Sequence, residues 1–240
     1  MGDEQHHSVV ITGASRGIGR QIALAFAKET DYALLLIART EEGLEKTKRL
    51  CRAEGDNKIE IIACDITNTQ AVDAITLPDG FPSPKTIINN AGSFLLKPLE
   101  ETTHEEFEEQ IQANLYSAVH ITNLFLKALK AKKSALIVNI CSAGAVEGLK
   151  DSGAYSASKH ALLGYTRSLR QELMETEIRV TAINLGQTQS TSWEGSSIKG
   201  DLLIDPDDIA RLIVILTQLS PRTVVEEMLV KPQHGRVPPM

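Results

Sequence analysis

The chain has 240 residues, enough for one large α/β domain with its own core. Hydrophobic residues make up 42% and charged residues 23%, which is ordinary for a soluble globular protein. With 25 Lys and Arg against 31 Asp and Glu, the balance is mildly acidic, and no dense basic run offers a surface for nucleic acid.

No run of about 18 apolar residues occurs, so no membrane span is expected. Met1 to His7 are polar and lack the apolar stretch of a signal peptide. His6 and His7 read as a polar lead-in, and no metal site is expected. Cys51, Cys64 and Cys141 are too few and too scattered for a disulfide framework or a zinc site. They suit small apolar fillers in a reducing compartment, which points to the cytoplasm.

Strand and helix signals alternate along the chain. Apolar runs predict strands at Ser8–Thr12, Tyr32–Ala38, Ile59–Ala63, Thr86–Asn89, Ala135–Ile140, Arg179–Ile183 and Val224–Val230. Helical patterns fall at Gly17–Lys28, Glu41–Ala53, Glu105–Lys130, Tyr155–Met174 and Asp207–Leu219. The strands lack strict alternation, which predicts a sheet buried on both faces. Alternating strands and helices predict a single-domain, Rossmann-type, doubly wound parallel sheet. Thr103 with Glu106 fits a capping box, Gly55 fits a C-cap, and Pro206 with Asp207 and Asp208 opens the last helix. Pro78, Pro82 and Pro84 leave only a short helix between Thr67 and Lys85. No linker divides residues 1–240, and residues 235–240 read as a loose tail.

The first place for a ligand is the turn after Thr12, at the carboxyl end of the first strand. Gly13 allows a sharp turn there, while Gly17 and Gly19 remove side chains where backbone must approach a pyrophosphate or the sheet. The following helix offers free N–H groups and a positive dipole end. Ser15, Arg16 and Ile18 complete this loop and are assigned with the glycines to the cofactor. An NAD site usually places an acid at the end of the second strand. Here the strand ends in Ala38-Arg39-Thr40, so Arg39, with Arg16 from the loop, is placed to clamp a 2′-phosphate. The expected cofactor is therefore NADP(H).

Tyr155 and Lys159 lie one turn apart on one helix face. A tyrosine near pKa ~10 is a poor proton donor–acceptor pair at neutral pH. A neighbouring ammonium and the positive oxidised nicotinamide favour the phenolate and predict a lowered value. Lys159 can also hold the nicotinamide ribose. Ser142, at a strand end, can bond the substrate oxygen as charge builds on it. Asn114 can hold a water that continues a proton path from Lys159.

Thr12-Gly13-x-x-x-Gly17-x-Gly19, Asn89-Asn90-Ala91-Gly92, Asn114, Ser142 and Tyr155-x-x-x-Lys159 together resemble the short-chain dehydrogenase/reductase family over essentially the whole chain. The resemblance implies seven parallel strands in the order 3-2-1-4-5-6-7. It implies Asp65 at the adenine, Asn90 and Ala91 beside the adenosine ribose, Gly92 also at the cofactor, and the segment with Gly186 and Thr188 at the carboxamide. The Arg16 and Arg39 pair is similar to that of NADP-preferring members. Where the family has Asn-Pro-Gly, this chain has Asn184-Leu185-Gly186, which predicts a softer loop and no loss of the chemistry.

Phe94, Leu149 and Trp193 are candidates to line a mostly apolar substrate pocket, which suits a small neutral carbonyl or alcohol. The end of the chain, from Pro206-Asp207-Asp208-Ile209-Ala210 through Ser220-Pro221-Arg222-Thr223-Val224-Val225-Glu226-Glu227, resembles bacterial sepiapterin-reductase-like members and, more loosely, ketoacyl reductases; a sepiapterin- or diketone-type carbonyl reductase is favoured. Two alternatives stand: a 3-oxoacyl-carrier-protein reductase, with Lys130, Lys132 and Lys133 meeting an acidic carrier, and a non-catalytic NADPH-sensing regulator. The family's usual interface implies a homodimer or homotetramer through the two long helices, with Ile111, Leu115, Leu124, Leu162 and Leu169 as its apolar positions.

Overall fold

The structure, a computed structural model, describes residues 7–193 and 198–237. Its strands are β1 (Ser8–Thr12), β2 (Ala33–Ala38), β3 (Ile59–Ala63), β4 (Pro84–Asn89), β5 (Ala135–Ser142), β6 (Ile178–Leu185) and β7 (Glu227–Val230). They form one parallel sheet in the order β3-β2-β1-β4-β5-β6-β7, as the family resemblance implies. The helices are α1 (Gly17–Glu29), α2 (Glu41–Glu54), α3 (Thr69–Asp73), α4 (His104–Ile111), α5 (Ser117–Lys130), α6 (Gly153–Glu172) and α7 (Pro206–Gln218).

Successive strand residues feed opposite cores. Val9, Ile11, Leu34 and Leu36 pack with Ile22 and Phe26 of α1, Leu44 of α2 and Ile213 of α7. Val10, Leu35 and Ile37 pack with Ile121, Phe125 and Leu129 of α5 and with Leu169 of α6. This is why the strands read as unbroken apolar runs. One polar chain crosses the second core. Asn89 Nδ2 donates to Asn139 Oδ1 at 2.8 Å and to Thr122 Oγ1 at 3.0 Å, and Asn139 Nδ2 donates to Thr166 Oγ1 at 2.8 Å.

The helix ends follow their local signals. Thr103 and Glu106 form the reciprocal capping box of α4. The Gly55 N–H donates to Cys51 O at the end of α2. Asp205 caps α7 by accepting from the Asp207 N–H, with Pro206 in the first turn. The short helix expected among the prolines is α3, five residues long.

Three expectations are corrected. The long helix predicted over Glu105–Lys130 is interrupted by a π-helical turn, Gln112–Tyr116, which carries Asn114. The buried positions Asn114, Ala118, Ile121 and Phe125 keep three- and four-residue spacing through it, so the apolar pattern carries no sign of the wider turn. The softer loop expected around Leu185 is absent, because Leu185 continues β6 and is paired with Ser142 on one side and Val230 on the other. A proline would lack the N–H that a central strand uses. The tail is tied down as far as Val237, whose backbone is bonded to the Gln187 side chain; residues 238–240 lie outside the described residues.

Of the five apolar positions assigned to an interface, Leu162 and Leu169 are buried in the chain's own core. Ile111, Leu115 and Leu124 remain half-buried, beside an exposed Tyr116. Among the described residues, no helix is long and apolar enough to cross a membrane and no cluster of potential metal ligands occurs.

Candidate active site

A cleft of about 1950 Å³ runs along the carboxyl ends of the strands. Gly13, Ser15, Arg16, Gly17, Ile18, Arg39, Asp65, Asn90, Ala91 and Gly92 line it, as do Gly186 and Thr188. Asn114, Ser142, Tyr155, Lys159, Phe94, Leu149 and Trp193 line the same cleft. Gly19 is the one predicted residue that does not. It is buried behind the turn, where a Cβ would collide with Gly13 O and stand 2.6 Å from Asn90 Nδ2.

The turn itself depends on residues far away in sequence. Gly13 and Gly17 have φ of 66° and 55°, a region that disfavours other residues. Thr12 Oγ1 accepts from the N–H groups of Asn90 and Ala91, each at 3.0 Å, and Asn90 Nδ2 donates to Thr12 O at 3.0 Å. The Asn90 amide thus clamps the loop after β4 onto the turn after β1. Behind the turn, Arg20 donates to Ser15 O and to Thr47 Oγ1.

Arg16 and Arg39 are exposed, and neither makes an ion pair among the described residues. Lys46 and Arg49 of α2 also line this end, and neither was among the residues expected from the sequence. Their i, i+3 spacing on a helix that follows Arg39 was the available signal. Asp65 Oδ1 accepts from Thr67 N and Thr67 Oγ1 at 3.0 and 2.8 Å, which fixes the loop after β3.

At the other end, β5 and α6 bring Ser142, Tyr155 and Lys159 together. Ser142 ends β5, and its Oγ accepts from the Gly144 N–H at 3.0 Å. The ring of Phe94 meets that of Tyr155 edge-on, with centroids 4.9 Å apart. Lys159 is buried, and its Nζ donates to Ile140 O at 3.0 Å and stands 6.0 Å from the Tyr155 ring centroid. Leu149 packs on Gly144, where a Cβ would meet Leu149 Cδ1 at 2.7 Å.

Burial pushes the Tyr155 phenol above its ordinary value, and the hydrogen bond with Ser142 pulls it the other way. Burial pulls the Lys159 ammonium below its ordinary value. The depression of Tyr155 expected from Lys159 is therefore not what the polypeptide by itself produces. The ammonium is turned to a carbonyl of β5, and desolvation outweighs it.

Asn114 also differs from expectation. Its Oδ1 accepts from Ser93 N at 3.1 Å, and its Nδ2 faces Ser93 O, Gln110 Oε1 and Ser158 Oγ at 3.0, 3.3 and 3.1 Å. The side chain is engaged in holding the loop after β4 to α6 rather than turned out to receive a water. Gln110, one turn earlier and buried, supports it by donating to Ser93 Oγ at 2.9 Å. Sequence reasoning missed Gln110, although its i−4 spacing from Asn114 was visible.

Sheet order and glycine turn together define a Rossmann-type domain. A family model for short chain dehydrogenases matches residues 7–200. The sepiapterin reductase of Chlorobaculum tepidum is 30% identical over 240 residues, covering 96% of this chain and 98% of that one. An alcohol dehydrogenase of the archaeon Thermococcus sibiricus, solved with 5-hydroxy-NADP, superposes with a TM-score of 0.87 at 28% identity, covering 98% of this chain and 100% of that one. A metagenomic short-chain oxidoreductase in complex with NADP is 30% identical with a TM-score of 0.82, covering 95% of this chain and 98% of that one. The chain belongs to the short-chain dehydrogenase/reductase family and is an oxidoreductase of that family.

Proposed function

We propose that the protein is an NADPH-dependent carbonyl reductase acting on small, mostly apolar carbonyl compounds, with the corresponding alcohols as substrates of the reverse reaction. The observation that carries this reading is the Ser142–Tyr155–Lys159 group at one end of a cleft whose other end is a glycine turn flanked by the exposed Arg16 and Arg39.

The residues present fit NADP(H). Gly13 and Gly17, both at positive φ and lining the cleft, form the turn at the N-terminus of α1, where free N–H groups can meet a pyrophosphate. Arg16, Arg39, Lys46 and Arg49 offer cations to a 2′-phosphate, and Ala38 sets no carboxylate against it. When bound, the nicotinamide supplies or accepts the hydride. Tyr155 gives its proton to the substrate oxygen during reduction, and Ser142 Oγ bonds that oxygen as it gains charge. Lys159 holds the ribose from its seat on Ile140 O. Asn114 and Gln110 keep Ser93 and Ser158 in register, and so keep Gly92 against Lys159. Phe94, Leu149 and Trp193 supply the apolar walls.

A similarity to a sepiapterin reductase supports a diketone or side-chain ketone as substrate. We place the protein in the cytoplasm because its three cysteines are free and buried. We also propose a homo-oligomer through α4, α5 and α6, using Ile111, Leu115, Tyr116 and Leu124. A monomeric mass in light scattering at micromolar concentration would refute that. The catalytic reading is tested by NADPH consumption over a panel of diketones and aryl ketones. Binding of NADPH without turnover of any of them would favour a sensing role.

A further inference from the structure

The chain beyond β7 returns to the substrate end of the cleft. Lys231 Nζ stands 3.5 Å from Glu147 Oε1, on the segment that joins Ser142 to Tyr155. Pro232 lies over Gly186, where a Cβ would meet Pro232 Cδ at 3.0 Å. Further on, one side chain holds both backbone polar groups of Val237. Gln187 Nε2 donates to Val237 O at 2.9 Å, and Val237 N donates to Gln187 Oε1 at 2.8 Å. Between these anchors, Gly235 and Arg236 line the cleft.

A segment with neither helix nor strand has few bonds to order it. Among the described residues, Gln187 is the one partner of the Val237 backbone. A primary amide suits this task because it carries a donor and an acceptor in one plane. Gln187 is itself fixed from behind, since its carbonyl accepts from the Ile204 N–H at 3.0 Å. The latch thus connects a rigid part of the cleft, next to Gly186, to a segment that would otherwise swing free.

We propose that Gln187 is a positioning residue that sets substrate size: by pairing with Val237 it holds residues 231–237 as the outer wall of the substrate end. This rests on the carbonyl-reductase reading. A closed wall excludes bulky carbonyl compounds and keeps small ones against Phe94 and Leu149. An unlatched wall admits both.

Two variants weaken the pair from opposite sides, Gln187→Met by removing both bonds and Val237→Pro by removing one. Gln187→Met keeps the length of the side chain and removes its donor and acceptor, while Val237→Pro removes the N–H from the other partner. The measurement is kcat/KM with NADPH for 2,3-butanedione and for benzil, together with the NADPH dissociation constant. In each variant the benzil-to-butanedione ratio should rise about tenfold. The double variant should show no larger rise than Gln187→Met alone, as expected of residues acting through one contact. NADPH affinity should stay within about twofold of the unaltered protein, which also reports that the variants fold. An unchanged ratio in both variants overturns the inference and leaves the reductase reading standing. A rise in Val237→Pro with none in Gln187→Met, which loses both bonds, overturns it too, because the effect would then not pass through Gln187. If the unaltered protein bound NADPH but turned over neither these diketones nor any other carbonyl compound of the panel, the reductase reading would fail and the inference with it.

Discussion

The rings of Phe94 and Tyr155 meet at 79°, with their centroids 4.9 Å apart. This edge-to-face contact links the loop after β4 to α6 and presses an aromatic wall on the side chain proposed to transfer the proton. Phe94 is 42% exposed, so its packing adds little to the fold. Phe94→Ala should leave the melting temperature nearly unchanged while lowering kcat/KM. An aromatic pair contributes about 0.5–1.5 kcal/mol beyond area burial. Steady-state kinetics beside a thermal melt separates the two effects, and a fall in melting temperature with unchanged kcat/KM would count against this role.

Tyr155→Phe keeps the ring and its contact with Phe94 and removes only the hydroxyl. It should abolish turnover while NADPH still binds, since the phosphate contacts proposed for the cofactor are at Gly13–Gly17 and Arg39, away from Tyr155. Lys159→Ala should impair both. Retention of more than a few per cent of kcat by Tyr155→Phe would force a search for another acid.

The pH dependence follows from burial of the phenol. With the Tyr155 pKa raised, the phenol stays protonated across neutral pH. Carbonyl reduction, which needs the acid, should be flat there and decline only as the phenol ionises. Alcohol oxidation needs the phenolate and should rise with pH, helped by the positive charge of oxidised nicotinamide. Ser142→Ala removes the hydrogen bond that lowers this pKa, so the rising limb should move to higher pH. A limb that stayed in place would mean that Ser142 does not touch the phenol.

Arg39→Asp should weaken NADPH far more than NADH. Loss of a charge-assisted clamp costs roughly 1.5–3 kcal/mol, or about tenfold to a hundredfold in affinity. Equal affinities for the two cofactors in the unaltered protein would refute the assignment.

Cys51 offers a stability test away from the cleft. Burial pushes its thiol from 9.0 to about 12. The folded state then keeps a proton that the unfolded state releases above its own pKa. The stability tied to the neutral thiol is complete below pH ~9 and is lost as pH rises through about 12. Cys51→Ala should flatten the alkaline side of a stability–pH curve. Denaturant melts at neutral and alkaline pH would measure it.

Much of this molecule is legible in its residues. Apolar runs and helical periods locate the sheet and its helices because burial on both faces leaves a strong pattern. The glycine turn and the Ser142, Tyr155 and Lys159 group are local in sequence or fixed by spacing. What escaped depends on tertiary contact. The π turn at Asn114 leaves the apolar spacing unmarked. Gln110 and Ser93 acquire their roles only when the loop after β4 meets α4. The Gln187–Val237 pair spans 50 positions, and nothing near Val237 announces it. The raised pKa of Tyr155 also follows from packing, where the sequence suggested charge.

The buried contact between Asn89 and Asn139 has a consequence for how the sheet assembles. Strands that are apolar on both faces carry no inside–outside pattern, so a one-residue slip between neighbours would still bury hydrocarbon. Asn89 and Asn139 are direct partners across β4 and β5, and each is also bonded to a threonine, Thr122 on α5 or Thr166 on α6. A slipped pairing would strand these amides without partners in an apolar interior. The two asparagines therefore act as a registration mark at the centre of the molecule, aligning the strand that ends in the Asn90 clamp with the strand that ends in Ser142.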